Sequence, residues 1–240
     1  MALPRRDSND GPKPYAALVI DCEMVALEGQ ISDLVRLAVV DFATGDVVLN
    51  TLVQPTGHVI DWRARVSGVN PAILRAAKGD SNTTVLRGWP EARQKIFTLA
   101  DSNTILVGHA LPNDLKALRI AADRVVDTLV LTAKAVFGLS DVTFPRKWSL
   151  KTLCKELMGI NIQNARLGHD CVEDALATRE LILWCLSHPQ ELQAWGKTTR
   201  VVFEKEKLAR QERQKAEAEA RREKQKAEAA AAASAGMIQT

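Results

Sequence analysis

The chain has 240 residues, 46% apolar and 25% charged, with a formal net charge of +3. This is the composition of an ordinary globular protein, long enough for one well-buried domain plus an appendage. No stretch approaches the roughly 18 apolar residues of a membrane span, and a secretory signal is not apparent. We therefore expect a soluble intracellular protein whose four widely spaced cysteines are reduced thiols rather than a disulfide framework.

The N-terminal half predicts a short flexible segment followed by strands. Residues 1–13 are polar and rich in Pro, Gly and Asp, which indicates a flexible N-terminus. Three apolar runs follow: YAALVIDCEMV, DLVRLAVVDF and DVVLNTLVQP. The last two are separated by only a few residues, which is typical of a hairpin. These runs predict an antiparallel meander of three strands.

Helices and strands then alternate. WPEARQKIFTLA predicts a helix, SNTILVGH a buried strand and LPNDLKALRIAA a second helix. RVVDTLVLTAKAVFG predicts a short strand and a helix capped by Asp127 or Thr128 and ended by Gly138. Two more helices are predicted in SLKTLCKELMG, with Ser149 as cap, and in CVEDALATRELILWCL. A meander followed by alternating elements indicates an α/β domain over residues 14–190, with a mixed five-stranded sheet flanked by helices.

The last part of the chain differs in composition. Residues 200–240 hold ten Lys/Arg and seven Asp/Glu, so this segment accounts for the whole net charge of +3. Residues 191–240 predict a charged tail rich in Ala, Lys, Glu and Arg, either helical or disordered. The charged run from residue 204 has Leu208 as nearly its only large apolar residue, which disfavours a coiled coil. We interpret the tail as solvated; the alternative is a contact with nucleic acid or a protein partner.

Two acids end the first apolar run. Alternate residues of a strand share a face, so Asp21 and Glu23 should point the same way, roughly 7 Å apart. A buried carboxylate is costly unless it is paired or bound to a metal. The pair therefore indicates either a strand entering a polar loop or half of a metal site.

Further acids stand near the starts of two predicted helices, at Asp114 and at Glu173 and Asp174. Asp170 and Glu173 have the spacing of a capping box, in which Glu173 would turn back onto the backbone. We therefore assign Glu173 to capping and Asp174 to chemistry. Four carboxylates in one place would repel one another strongly unless cations lay among them.

Two divalent cations would balance the four negative charges of Asp21, Glu23, Asp114 and Asp174. An all-oxygen ligand set suits Mg²⁺ or Mn²⁺ rather than Zn²⁺. Two such ions can stabilise an in-line phosphoryl displacement. His169 precedes Asp174 by five residues, and a histidine can accept a proton from water near neutral pH.

The ordered set of acids and His169 resembles the DEDDh group of 3′-to-5′ exonucleases, which share the ribonuclease-H-like fold. The phrases IDCEMV, VIDWRARVSGVNP, LVGHALPNDLKAL and SLKTLCKELMGINIQNARLGHDCVEDA are similar to the eukaryotic RNA exonuclease branch. That branch includes the interferon-stimulated exonuclease and the ribosomal-RNA-processing exonucleases. The resemblance covers roughly residues 15–187. It departs from the family at Pro112, Asp170 and Cys171.

The resemblance implies that the four acids bind metal and that His169 is the general base. It also implies that Met24 and Arg63 contact the terminal nucleotide. The expected activity is release of nucleoside 5′-monophosphates from single-stranded RNA, with DNA or short oligonucleotides as the alternative and a non-catalytic binding module as a further rival. By the same resemblance, a nuclear or nucleolar location and a role in RNA processing or degradation are expected, with a cytoplasmic location as the alternative.

Overall fold

The computed structural model describes residues 1–5, 13–138, 144–163 and 168–236. Within these ranges, the strands form one mixed sheet of seven members in the order β5-β3-β2-β1-β6-β7, with β4 paired to β1. Their bounds are Ala17–Leu27 (β1), Ser32–Asp41 (β2), Val47–Val53 (β3), Val59–Asp61 (β4), Val85–Leu86 (β5), Ile105–Gly108 (β6) and Val125–Asp127 (β7).

Strands β1, β2 and β3 form the predicted antiparallel meander, and β6 and β7 continue the sheet in parallel with β1. The α/β fold with a mixed sheet flanked by helices is confirmed. The sheet has seven strands rather than the expected five, because β4 and β5 were not predicted. These two strands are three and two residues long, too short to produce a period-2 pattern in the sequence.

The helices are Ala64–Ser67 (α1), Pro71–Gly79 (α2), Gly88–Leu99 (α3), Pro112–Leu118 (α4), Thr128–Phe137 (α5), Leu150–Leu153 (α6), Cys171–Ser187 (α7) and Pro189–Gly236 (α8). Helix α6 continues as a π-helical turn, Cys154–Met158. Two predicted caps form: Asp127 accepts from the Leu129 N–H at 2.9 Å, and Ser149 accepts from the Thr152 N–H at 3.2 Å. None of the helices in the described ranges is long and apolar enough to cross a membrane.

The two faces of β1 pack against different layers. Leu18, Ile20 and Cys22 belong to a core shared with α3 and α4. Val19 lies on the other face and packs in a cluster with Ala175 and Ile182 of α7. Because side chains alternate along a strand, this second face is also the one that carries Asp21 and Glu23.

The N-terminal segment differs from the expectation over its first five residues. Leu3 is buried in the core, Ala2 bridges to Ala121, and the Pro4 carbonyl accepts from the Ser102 N–H at 2.8 Å. These contacts hold residues 1–5 against the domain. Residues 6–12, where the flexible segment was also predicted, lie outside the described residues.

The start of the predicted tail is part of the globular core. Leu192 and Trp195 of α8 pack in a cluster with Trp148, which is buried. A Cβ on Gly196 would lie 2.3 Å from the Ala135 carbonyl oxygen, so α8 approaches α5 at backbone distance. Phe203 makes an edge contact with Phe137, with 5.1 Å between the ring centroids, so the packing of α8 on α5 continues past residue 190.

Candidate active site

Strand β1 presents two of the predicted acids. Glu23 is buried at 7% exposure, and Asp21 is partly exposed. Arg36 of β2 lies directly across from Glu23 in the strand register. Its guanidinium lowers the pKa values of Asp21 and Glu23, against the larger opposing effect of burial. Arg36 is thus a cation at the site that the sequence analysis did not identify.

Helices α4 and α7 bring the other two acids. Asp114 lies in the first turn of α4, which follows β6, and Gly108 at the end of β6 packs beside the Ile20 carbonyl. The chain therefore leaves the sheet next to Asp21. Asp174 lies in the first turn of α7, and both Asp114 and Asp174 are buried.

Three of the five predicted catalytic residues form a compact group. One ligand atom from each of Glu23, His169 and Asp174 lies within 4.8 Å of the others, an arrangement that could hold a metal ion. Asp21 and Asp114 are outside this compact group. They are coupled to this group electrostatically. Asp21 repels Asp174 and Asp114, and Asp21 and Asp114 each repel Glu23.

Burial and mutual repulsion disfavour the ionised forms of the four acids. Burial, with repulsion from Asp21 and Asp174, raises the pKa of Glu23 to about 8. Burial raises the pKa of Asp21 to about 7, and repulsion from Asp174 adds to it. The pKa values of Asp114 and Asp174 are also raised, first by burial. Such a group is stabilised in its ionised form by added positive charge.

His169 stands beside Asp174 at the edge of the site. Its Nδ1 lies 3.4 Å from Oδ2 of Asp174, and its side chain is 37% exposed. The His169 N–H donates to the Val66 carbonyl of α1 at 2.7 Å. Gly168 has φ +103°, and a Cβ there would lie 2.5 Å from the nitrogen of Gly68. The loop that carries His169 is therefore packed tightly against the end of α1.

Of the two contacts of the predicted capping box, the cap by Asp170 forms and the contact by Glu173 does not. The Asp170 carboxylate accepts from the Val172 N–H at 3.0 Å, and Asp170 also lies 3.6 Å from Arg36. Glu173 does not turn back as expected, because its Oε2 accepts from the Gln163 N–H at 2.9 Å. Glu173 thus holds the preceding loop rather than the first turn of its own helix.

Hydrogen-bond donors to the acids were missed by the sequence analysis. Nε2 of Gln163 donates to both oxygens of Asp174, at 2.9 and 3.1 Å. The Cys171 thiol donates to the Asp21 carbonyl at 2.9 Å and also lowers the pKa of the Asp21 carboxyl. Gln163 lies in a loop without periodicity, so its sequence carries no signal for this contact.

Met24 and Arg63 line a common cavity of about 770 Å³. Met24 packs with the α3 and α4 side of the sheet, and the register of β1 shifts by a bulge between Glu23 and Met24. Arg63 adopts φ +47°, its N–H donates to Asp61 Oδ1 at 2.8 Å, and its Nη1 lies 3.4 Å from Ser32 Oγ. The structure thus brings both residues to one cavity.

His109 has a packing role. Its Nδ1 lies 2.8 Å from Thr128 Oγ1, and burial lowers its pKa. Pro112, one of the departures from the family pattern, stands at the first position of α4, where a proline is tolerated because its missing N–H would have no helical partner.

A family model described as "Exonuclease" matches residues 18–182. The chain belongs to this exonuclease family. The resemblance drawn from the sequence is therefore confirmed at the level of the family. The matched residues include α4 and most of β1 and α7, the elements that carry the four acids.

Curated relatives of this exonuclease domain are longer proteins. RNA exonuclease 3 of Candida albicans is 31% identical over 183 residues, which are 76% of this chain and 40% of the relative. Small RNA degrading nuclease 3 of Arabidopsis thaliana is 34% identical over 205 residues, 85% of this chain and 24% of the relative. The chain thus spans less than half the length of these relatives.

Solved exonuclease structures share the fold. The Saccharomyces cerevisiae Pan2 pseudoubiquitin hydrolase–RNA exonuclease module in complex with AAGGA RNA aligns with a TM-score of 0.62 at 24% identity, covering 86% of this chain and 34% of that one. The Neurospora crassa Pan2 catalytic unit aligns with a TM-score of 0.61 at 21% identity, covering 80% and 31%. At these identities the likeness concerns the fold alone.

Proposed function

We propose that this domain is a divalent-metal-dependent 3′-to-5′ exoribonuclease that releases nucleoside 5′-monophosphates from single-stranded RNA ends. The observation that supports the proposal is the compact group of Glu23, His169 and Asp174, to which Asp21 and Asp114 are coupled electrostatically. The names of the relatives, RNA exonuclease and small RNA degrading nuclease, support RNA as the substrate.

The acids fit a pair of Mg²⁺ or Mn²⁺ ions. Asp21, Glu23, Asp114 and Asp174 offer only oxygen ligands, which these hard cations prefer. Burial, with repulsion between neighbouring acids, raises their pKa values, and added cations would stabilise the ionised forms. When bound, the ions supply stabilisation of the negative charge that develops on the phosphate during displacement.

His169 acts as the general base for the attacking water. The Asp174 carboxylate beside Nδ1 favours the tautomer with the proton on that nitrogen, which leaves Nε2 to accept a proton. Its exposed side chain can be reached by water. The oxygen of that water forms a bond to the phosphorus, the bond to the 3′ oxygen of the preceding nucleotide breaks, and the terminal nucleotide leaves with a 5′-phosphate.

Met24 and Arg63 bind the terminal nucleotide in this proposal. Met24 supplies an apolar contact at the wall of the cleft, and Arg63 a cation for the backbone. The same chemistry on single-stranded DNA is the second candidate, since no described residue is assigned to a 2′-hydroxyl. Ribosomal RNA processing in the nucleus or nucleolus is the proposed setting, on the basis of the family resemblance.

Time-resolved digestion of 5′-labelled RNA and DNA, with and without EDTA, tests the proposal. We expect shortening of RNA from the 3′ end, dependent on Mg²⁺ or Mn²⁺ and faster than that of DNA. Asp21→Asn should abolish digestion, whereas Asp123→Asn, at an exposed acid, should not. Intact RNA in the presence of metal would favour a binding module, and full activity of Asp21→Asn would refute the site.

A further inference from the structure

We propose that Lys116 and Arg119, here called the cationic wall, bind the phosphates on the 5′ side of the cleaved bond. The wall would make the domain favour strands of three or more nucleotides over dinucleotides. This inference rests on the proposed function, since it concerns how the same cleft holds its strand.

The cationic wall and the metal site share one helix. Asn113, Lys116 and Arg119 recur at three-residue intervals along α4 and its C-terminal end, so they face the same side, and all three line the cavity of about 770 Å³. Asp114 follows Asn113 directly. The cavity thus adjoins the turn of α4 that carries Asp114, and in this proposal the strand continues from the acids along the wall.

The charge of the cavity is unbalanced. Three cations line it, Arg63, Lys116 and Arg119, and among its described lining residues Asp33 is the only acid. Asp33 is engaged, since its oxygens accept from the Leu34 N–H at 3.0 Å and from the Thr56 N–H and hydroxyl at 2.6 and 2.8 Å.

No ion pair found among the described residues involves any of these three cations. The lining thus carries an excess of two positive charges without a protein counter-charge. Such a cleft attracts a polyanion, and a terminal phosphate alone would not need all three cations.

Arg119 is held in place before any ligand arrives. Its guanidinium stacks over the Trp89 ring at 3.9 Å, and it adopts φ +55°. A guanidinium that stacks on an aromatic ring keeps its N–H groups, which lie in its own plane, available for phosphate oxygens. A non-glycine residue in the left-handed region costs free energy, and such residues cluster at ligand-binding sites. Arg63, which also lines the cavity, has φ +47°.

Binding of a fluorescent ten-nucleotide RNA in EDTA tests the wall without turnover. We expect Lys116→Ala/Arg119→Ala to weaken binding about tenfold or more at low salt. The logarithm of the RNA association constant decreases with the logarithm of the salt concentration, and this slope should become less steep by about 0.7 for each lost phosphate contact. Lys116→Arg/Arg119→Lys should retain most of the affinity. The matched control, Arg75→Ala/Lys78→Ala on α2, removes two exposed cations outside the cavity and should bind like the parent.

Digestion with metal then separates the wall from the reaction. In Lys116→Ala/Arg119→Ala the kcat/KM on the ten-nucleotide RNA should fall about tenfold, while that on a dinucleotide should not change, because a dinucleotide has no further phosphate on its 5′ side. Equal losses on both substrates, or parental binding by the double variant, would overturn the proposal. If the parent digests nothing yet binds RNA through the wall, the proposed function fails and only the RNA-binding role of the wall is retained.

Discussion

Gly168 and Gly68 are in backbone contact, and a Cβ on Gly168 would lie 2.5 Å from the Gly68 nitrogen and 2.6 Å from its Cα. A side chain at Gly168 would therefore displace either the segment that carries His169 or the end of α1. The contact, together with the bond from the His169 N–H to Val66, sets the position of the proposed base relative to the acids.

Gly168→Ala should therefore displace His169 and lower kcat, by up to the 10²–10⁴-fold that general base catalysis contributes. Gly159→Ala is the matched control, because Gly159 also has a positive φ, +71°, but nothing lies within 4 Å of its Cβ position. The control should lose stability and keep its turnover. Steady-state kinetics with Mg²⁺ and thermal unfolding measure both. Equal kcat values for the two variants would contradict the role of the contact.

His169→Asn should reduce kcat by about 10²–10⁴-fold and leave the metal-induced rise in Tm largely intact. The reason is that the variant removes the proton acceptor while all four acids remain. Steady-state kinetics with Mg²⁺, and thermal unfolding with and without the metal, are the decisive measurements. His188→Asn is the control, because His188 stacks on Trp184 away from the acids, and its kcat should match that of the parent.

Gln163→Leu should shift metal binding to higher pH. The side chain of Gln163 donates to Asp174 and lowers the pKa of that carboxyl against the larger effect of burial. Its removal should raise the pKa of Asp174 further, so a proton competes with the cation over a wider range. Mn²⁺ titration at several pH values measures the effect. Gln193→Leu, at an exposed position of α8, should bind Mn²⁺ like the parent.

The stability of the metal-free protein should fall as pH rises from about 5 to about 8. Asp21 and Glu23 have pKa values of about 7 and about 8 in the fold, above their ordinary values. Carboxyls with raised pKa values bind protons more tightly in the folded than in the unfolded chain, so their contribution is present at low pH and lost on ionisation.

Mg²⁺ or Mn²⁺ should reverse this loss, and the rise in Tm on adding metal should be larger at pH 8.5 than at pH 5.5. Thermal unfolding in EDTA and in metal measures the difference. In Asp21→Asn/Glu23→Gln the dependence of the metal effect on pH should largely vanish. A metal-induced rise in Tm that is greatest at pH 5.5 would contradict the coupling.

Truncation should separate the two parts of α8. A chain ending after residue 208 retains Trp195, Gly196 and Phe203 and should keep its Tm. A chain ending after residue 190 loses these contacts and should lose several kcal/mol of unfolding free energy, as expected for removal of a packed tryptophan. Guanidinium denaturation measures both. Equal stability of the two chains would show that the helix does not belong to the domain core.

The main elements were predictable because their signals are local. The run AALVI before Asp21 reads as a buried strand, and Asp127 and Ser149 are capping residues with helical patterns behind them. The partner of Glu173 was not predictable, since its bond to Gln163 depends on how a loop folds back. The packing of Trp195 and Phe203 on the domain was not predictable, because both residues stand among charged residues that dominate the composition of this part of the chain.

The alternation of β1 has a consequence for how this domain can change. The side chain of residue 23 points towards α7, and that of residue 24 packs on the opposite surface of the sheet. In the proposed function, substitutions at Met24 would therefore change the cavity wall that contacts the terminal nucleotide, while the neighbouring carboxylate of Glu23 keeps its position. Selectivity for the substrate could then change during evolution without an inactive intermediate protein.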